Sequence, residues 1–293
     1  MPNIQHKYLR PEDLKRLANY RFAVQMMVEG WMSGKHRAKG RGASSDFLEY
    51  RQYAPGDDLR LIDWRVYARS DRYHLKTFEH ETHLECHIFV DSSASMGYRS
   101  GGPMTKLDYA SYFAACVAWL VIRGNDRASL QTFDADIRSF MPPGSTRKHL
   151  DGMLNLLEHN TPGGPTSLPA SLEKSHHLLK TPGTLVIVSD FLSDPAALMQ
   201  SLNPYLHRGF KIVLVQVLDP HEVELPSDGL ARYYDMETNE HLLCNSETVR
   251  SAYRQRVQEH RTGLRSLAMS RGIRFFSVTT DESYYQLFDA LSE

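Results

Sequence analysis

Three stretches of the sequence place oxygen-bearing side chains where an apolar run ends. Asp91, Ser93 and Ser95 follow "HIFV", Thr166 lies in the loop "NTPGGPTSL", and Asp190 ends "TLVIVSD". Carboxylate and hydroxyl oxygens suit a hard cation such as Mg²⁺, which takes oxygen ligands and keeps several of its waters. We therefore predict a metal site made of these five residues, with Mg²⁺ as the ion and Mn²⁺ or Ca²⁺ as alternatives.

The residues from 84 onward have the pattern of an α/β protein. Short β-branched runs alternate with longer helical segments, which is typical of a parallel sheet covered on both faces. Polar residues that follow the strands of such a sheet meet at its carboxyl edge. The predicted strands are 84–91, 127–133, 184–190, 211–218 and 273–278.

Helices are predicted between these strands, and the longest, 106–123, is apolar on most faces and ends at Gly124. The stretch "IRSFMPPG" predicts a short antiparallel edge strand, and "ARYYDMETNEHLLC" predicts an inserted hairpin. We thus expect a doubly wound, mostly parallel sheet with one antiparallel edge strand. The other predicted helices are 146–158, 167–180, 194–207, 247–270 and 281–291.

Residues 1–80 do not continue the alternation. A helix is predicted over about 11–32, followed by the basic "GKHRAKGRG" and an aromatic, charged stretch. This part has too few aliphatic residues to form a core of its own, so we expect an appendage, 1–80, that packs on an α/β domain, 81–293.

The order of the candidate ligands resembles the von Willebrand factor A fold. Its metal-ion-dependent adhesion site uses D-x-S-x-S, a later threonine and a later aspartate, each at a strand end. The resemblance implies a Rossmann-like sheet in which the serines and the threonine coordinate directly, the aspartates act partly through water, and a partner's carboxylate completes the shell. This chain departs from the pattern in two places: Thr166 follows Pro165, and Ser189-Asp190-Phe191 replaces the more usual Thr-Asp-Gly.

The segment before the metal motif adds a second resemblance. "SDFLEYRQYAPGDDLRLIDWRVYAR" followed by "KTFEHE" is similar to the bacterial family known as domain of unknown function 58, which joins such a segment to a von Willebrand A-like domain. Members commonly accompany MoxR-type AAA+ ATPases. The resemblance therefore implies a partner of that type, together with its client protein, in protein remodelling or metal-cofactor maturation.

Six residues of this segment form a second candidate site for docking a partner. A tight turn at "APGDD" with a network of buried ion pairs is the competing interpretation, and we favour it, because interleaved opposite charges and aromatics usually satisfy one another. The six residues are Arg51, Asp57, Asp58, Arg60, Asp63 and Trp64.

Composition narrows the classes of function. Residues 1–80 hold 15 Lys and Arg against 10 Asp and Glu, and the remainder is acidic, so the chain lacks the overall basic charge and the reading element of a nucleic-acid binder. No apolar run reaches the roughly 18 residues of a membrane span, and no signal peptide is visible. The three cysteines are widely spaced and form no C-x-x-C pair, which predicts reduced thiols and a cytoplasmic protein.

Enzymatic readings fit the same stretch less well. A haloacid-dehalogenase-type phosphatase needs an acid where Ser93 stands, "DSSAS" lacks the leading glycine of an α/β-hydrolase elbow, and no P-loop is present. A structural alternative is that Asp91, Ser93 and Ser95 only cap free backbone N–H groups at a turn. We expect a non-enzymatic, metal-dependent protein-binding module that acts as an adaptor or co-chaperone to a MoxR-type AAA+ ATPase, with a Mg²⁺-dependent phosphoryl hydrolase as the alternative.

Overall fold

The computed structural model describes residues 6–17, 20, 46–54, 59–79, 84–226, 229–238 and 240–292. Contacts divide the chain into two units, Met1–Trp31 with Leu84–Glu293, and Met32–His83. The first unit, called the α/β unit below, therefore takes in residues from both sides of the boundary predicted at 80 and 81. That the predicted appendage packs on the sheet stays a prediction.

Ten strands lie in the described part of the chain, and six of them form the central sheet. That sheet has the order β10-β7-β6-β3-β4-β5, in which only β5 runs antiparallel to its neighbour. The predicted doubly wound sheet with one antiparallel edge strand is confirmed. The strands are β1 Asp46–Gln52, β2 His74–Glu79, β3 Glu85–Asp91, β4 Arg127–Phe133, β5 Ile137–Gly144, β6 Thr184–Ser189, β7 Lys211–Leu218, β8 Leu230–Tyr234, β9 His241–Asn245 and β10 Arg274–Thr279.

Helices cover both faces of the sheet, because successive strand residues point to opposite sides. Ile88 and Val90 join one apolar cluster with the helices at 106–123, 147–158 and 285–292, whereas Phe89 joins the other with those at 168–175, 195–207 and 246–269. The helices are α1 Pro11–Leu17, α2 Trp64–Ser70, α3 Lys106–Arg123, α4 Arg147–Glu158, α5 Leu168–Ser175, α6 Pro195–His207, α7 Pro220–Val223, α8 Ser246–Met269 and α9 Tyr285–Ser292. None of the helices within the described ranges combines the length and apolarity needed to cross a membrane.

Helix α3 has the predicted bounds, and a capping box between Thr105 and Asp108 fixes its start. Helix α5 is shorter than the predicted 167–180. Its chain leaves the helix after Ser175, and the guanidinium of Arg208 then bonds to backbone carbonyls at residues 176, 179 and 180. Arg208, which is distant in the sequence, thus satisfies backbone carbonyls that follow the helix, and the local sequence does not reveal this contact.

The N-terminal residues of the α/β unit are fastened by polar contacts. The buried carboxylate of Asp13, in α1, accepts hydrogen bonds from the hydroxyls of Tyr284 (2.7 Å) and Tyr285 (2.5 Å). Lys7 and Tyr8 both bond to Asp108 of α3. Of the helix predicted over 11–32, the part past α1 lies outside the described residues except Tyr20.

Gly183, directly before β6, permits a close approach that positions the strand carrying Asp190. A β-carbon there would meet the carbonyl oxygen of Glu85 at 2.1 Å, so Gly183→Ala must move backbone. We expect a loss of roughly 3 kcal/mol in the free energy of unfolding, measured by urea denaturation. Gly263→Ala, in α8 and with open space around it, serves as the control and should stabilise by about 0.5–1 kcal/mol. Equal stability of the two variants would contradict this account.

Candidate metal centre

The predicted ligands lie at the carboxyl edge of adjacent strands. Asp91 is the last residue of β3, Asp190 follows β6 directly, and β3 and β6 pair in parallel. Ser93 and Ser95 belong to the turn that leaves β3, and Thr166 lies in the loop that precedes α5. Although far apart in sequence, the five residues therefore share one rim of the sheet.

Hydrogen bonds, one of them from a backbone N–H, join the five residues into one group. Thr166 Oγ1 donates to Asp91 Oδ2 at 3.3 Å, and Ser95 Oγ donates to Asp190 Oδ2 at 2.7 Å. The hydroxyls of Ser93 and Ser95 are 3.1 Å apart, and the backbone N–H of Ser93 donates to Asp91 Oδ1 at 2.9 Å. The structure thus brings together every residue of the predicted metal site.

Two loops bond to each other to bring Thr166 to this rim. The backbone N–H of Ala94 donates to the carbonyl of Gly164, and the N–H of Gly163 donates to the carbonyl of Ser92, both at 2.9 Å. Gly164 has φ 75°, a left-handed conformation that favours glycine. Thr166 lies two residues after Gly164. Its hydroxyl reaches Asp91 although Pro165 intervenes.

Asp91 is completely buried, and no cation lies within ion-pair distance of it in the described part of the chain. Besides Ser93 and Thr166, Ser189 Oγ donates to its carboxylate at 2.6 Å. Burial raises the pKa of Asp91 to about 7, and the neighbouring carboxylate of Asp190 adds to the rise, although the hydrogen bonds oppose it. The ionised form of Asp91 is therefore costly in this structure.

Asp190, in contrast, has a buried cation beside it. Lys106 Nζ lies 2.8 Å from Asp190 Oδ2 and 2.6 Å from Glu222 Oε1, with its side chain fully buried. Burial alone would lower the pKa of Lys106, but the two carboxylates outweigh it and hold that pKa above its usual value. Glu222 is itself placed by a capping box with Asp219, directly after β7. These contacts tie α3 to the ends of β6 and β7.

Phe191 occupies the position where the resemblance expects glycine. Its φ is 49°, so it adopts the left-handed conformation that a glycine would adopt, at a cost of about 1–2 kcal/mol. The ring is buried in the apolar cluster beneath, and the backbone is held by Ser189 Oγ and by His260 Nε2. Phe191 therefore holds a left-handed conformation at a cost in local strain.

Sequence reasoning missed Ser189, Lys106, Glu222 and Glu237 as neighbours of the site. Glu237 accepts a hydrogen bond from the backbone N–H of Thr166 at 3.0 Å. Lys106 had a detectable signal, because a lysine in the first turn of an apolar helix opposes the helix dipole and needs another partner. Glu222 and Glu237 carried no such signal.

The residues of the predicted docking segment lie in the other unit. Asp63 is buried and caps α2, accepting hydrogen bonds from Arg65 N at 2.9 Å and from the hydroxyl of Tyr50 at 3.0 Å. Trp64 is 60% exposed. Asp63 therefore has a structural task, and docking of a partner at Trp64 stays a prediction. Of the rest, Arg51 is in β1, Arg60 lies just before α2, and Asp57 and Asp58 lie outside the described residues.

The donor set fits a hard divalent cation. Three hydroxyls and two carboxylates converge, all of them oxygen donors, and Asp91 lacks a countercharge in the described structure. No group of three or more His, Cys, Asp and Glu suited to a metal occurs among the described residues, so an ion at this rim would depend on hydroxyl ligands. Ser93, Ser95 and Thr166 would supply them.

The sheet order and its polar rim define the class of protein: a doubly wound α/β domain with oxygen-bearing side chains at the carboxyl edge of its parallel strands, as the resemblance to the von Willebrand factor A fold implies. A family model described as "Protein of unknown function DUF58" matches residues 49–263. The chain belongs to this family. The match includes all five rim residues and the docking segment from residue 49 onward.

Similar sequences occur in mycobacteria. Uncharacterized proteins of Mycobacterium bovis and Mycobacterium tuberculosis are each 27% identical over 279 residues, which cover 94% of this chain and 87% of theirs. The similarity thus extends over nearly the whole of this chain.

Solved structures with a similar fold share little sequence with it. BatB from Bacteroides thetaiotaomicron is 15% identical with a TM-score of 0.49, covering 71% of this chain and 95% of that one. A von Willebrand factor type A protein from Catenulispora acidiphila is 11% identical with a TM-score of 0.41, covering 75% and 42%. At these values the likeness adds nothing to the fold established by the strand order.

Replacing Lys106 tests the buried ion pairs. Lys106→Met leaves Asp190 and Glu222 without their cation, and we expect a loss of about 3–5 kcal/mol in the free energy of unfolding. Adding Asp190→Asn should recover part of this loss, since it removes one uncompensated charge. Lys7→Met, which breaks a more exposed pair with Asp108, should cost less than about 1 kcal/mol. Similar losses in urea unfolding for both single variants would contradict the assignment.

The raised pKa of Asp91 predicts a pH-dependent stability in EDTA. The pKa of Asp91 rises from 3.8 in the unfolded chain to about 7 in the folded protein. Between these pH values, Asp91 therefore holds a proton in the folded protein but not in the unfolded chain. The stabilisation is full below pH 4 and is lost as the pH rises through 7. Asp91→Asn removes the effect, so its free energy of unfolding relative to wild type should increase between pH 5 and 8, on the order of 3 kcal/mol. Asp281→Asn, at an exposed position, should show no such trend, and a flat difference for Asp91→Asn would refute the prediction.

Proposed function

We propose that the protein is a non-enzymatic binding module that recognises a carboxylate of a partner protein through a bound divalent cation. Ser93, Ser95 and Thr166 hold the ion, and Asp91 and Asp190 balance its charge. The observation that carries this proposal is the buried carboxylate of Asp91, which is bonded to site hydroxyls and has no countercharge in the described structure. When bound, Mg²⁺, or alternatively Mn²⁺ or Ca²⁺, would supply a positive centre with a free coordination place for an outside oxygen.

The charges at the rim support a divalent ion. Asp91, Asp190 and Glu222 carry three negative charges when ionised, and Lys106 offsets one of them. A divalent cation would neutralise the remainder, whereas a monovalent ion would leave one buried charge uncompensated. Since uncompensated buried charges are expensive, the rim is better matched to Mg²⁺ than to a monovalent ion.

The bonding of the serines supports recognition over catalysis. A serine nucleophile needs a base within hydrogen-bond reach, commonly a histidine. In the described structure the Ser93 and Ser95 hydroxyls bond to each other, and Ser95 also bonds to Asp190. Because Asp190 Oδ2 is also bonded to the Lys106 ammonium, it is a weakened base, and this bonding supports a ligand role for the two serines.

We further propose that the partner is a MoxR-type AAA+ ATPase and that the module serves as its adaptor, or co-chaperone, towards a client protein. Membership of the DUF58 family supports this role through the resemblance stated above. We propose that the protein acts in the cytoplasm. The free state of all three cysteines supports this location, because a reducing compartment keeps thiols unpaired.

Metal and partner binding can be measured on one set of variants. Asp91→Ala should weaken Mg²⁺ and Mn²⁺ binding in calorimetry by at least about tenfold, since a charge-assisted contact is lost, and Asp281→Ala should leave it unchanged. In a pull-down with the MoxR-type ATPase of the same organism, wild type and Asp281→Ala should retain the ATPase in Mg²⁺ and release it in EDTA, and Asp91→Ala should not retain it.

Two results would overturn the proposal. Equal metal affinity of wild type and Asp91→Ala would show that the ion does not bind at this rim. Turnover of phosphate esters that needs Mg²⁺ and disappears in Asp91→Ala would instead establish the phosphoryl hydrolase.

A further inference from the structure

The hairpin formed by β8 and β9 brings an additional carboxylate to the rim. Glu237, in its turn, accepts a hydrogen bond from the backbone N–H of Thr166 at 3.0 Å. The hydroxyl of the same threonine donates to Asp91. The carboxylate of Glu237 is therefore bonded to a residue that we assign as a ligand of the ion.

A second contact places the turn over the site. The methyl carbon of Met236 lies 3.8 Å from the position that a β-carbon would take on Gly97, in the turn that carries Ser95. Within the hairpin, Asp235 Oδ1 accepts hydrogen bonds from the backbone N–H groups of Glu237 (2.8 Å) and Thr238 (3.1 Å). The turn thus has a defined shape and touches both loops of the site, with Glu237 at Thr166 and Met236 near Gly97.

The rest of the hairpin is weakly anchored. Leu230, Leu242 and Leu243 are exposed, and neither of the two strands has a buried residue. Among the described residues, a bond of 2.7 Å between the hydroxyls of Tyr233 and Ser246 fastens β8 to the start of α8. With so little apolar surface buried, separation of the hairpin from the rim costs little free energy.

Charge alone does not explain why Glu237 lies here. The rim already holds the carboxylates of Asp91, Asp190 and Glu222, with Lys106 as the cation beside two of them, and carboxylates repel one another when ionised. A cation at the site would reverse the sign of that interaction. The position of Glu237 is therefore more favourable when a cation is bound at the rim.

We propose that Glu237 is the chain's own occupant of the place that a partner's carboxylate takes, so that the β8–β9 hairpin shields the site until a partner displaces it. This inference rests on the proposed function. It makes partner binding a competition between an intramolecular carboxylate, favoured by its high effective concentration, and an external one.

Hydrogen exchange of the full chain, with Mg²⁺ alone as the probe, tests the inference. In wild type, Mg²⁺ should slow the exchange of backbone amides at 230–245 severalfold. Glu237→Gln retains an acceptor for Thr166 but loses the charge, so the slowing should disappear and the Mg²⁺ affinity in calorimetry should fall about tenfold. Glu240→Gln, in the same hairpin, is the matched control and should behave as wild type.

The outcomes separate this inference from the proposed function. If Mg²⁺ binds wild type and Glu237→Gln equally and leaves exchange at 230–245 unchanged in both, the inference is overturned and the metal site stands. If Mg²⁺ binds to neither protein, the proposed function fails and the inference fails with it.

Discussion

A buried carboxylate without a countercharge is the constraint on which the rim of this sheet depends. Asp91 ends a strand whose residues are all buried, so its charge cannot be hydrated, and the described structure offers it hydroxyls and one backbone N–H instead of a cation. Hydroxyls stabilise an anion only in part, because they are dipoles and not charges. The serines, the threonine and their loops are arranged around this carboxylate, which has no countercharge in the described structure.

Lys106 shows how the same fold treats its other rim carboxylate. The ammonium joins Asp190 to Glu222, and through them α3 to the ends of β6 and β7. Desolvating three charges is expensive, so this triad is weak evidence for stability by itself. Its effect is positional: Asp190 Oδ2 is held by both Lys106 and Ser95, so the rim keeps one geometry.

The sequence predicted the sheet, its antiparallel edge and the convergence of all five rim residues, because alternating patterns fix strands and the carboxyl ends of parallel strands share an edge. It did not predict Glu222 and Glu237, which lie in a short helix and an inserted hairpin with no periodic pattern. It also gave no sign that Phe191 could hold a left-handed conformation normally left to glycine, since burial of the ring compensates the strain.

The triad also bears on how Asp190 would act towards an ion. Its Oδ2 already accepts from an ammonium and a hydroxyl, so direct coordination through that oxygen would break two bonds and leave Lys106 with one carboxylate. Action through Ser95 or a water leaves those bonds intact. In the proposed site neutral hydroxyls would then be the inner ligands, and neutral ligands would leave the ion more of its positive charge than carboxylates would. The buried lysine thus favours a site that attracts an anionic group from outside, which is the property that binding of a partner's carboxylate requires.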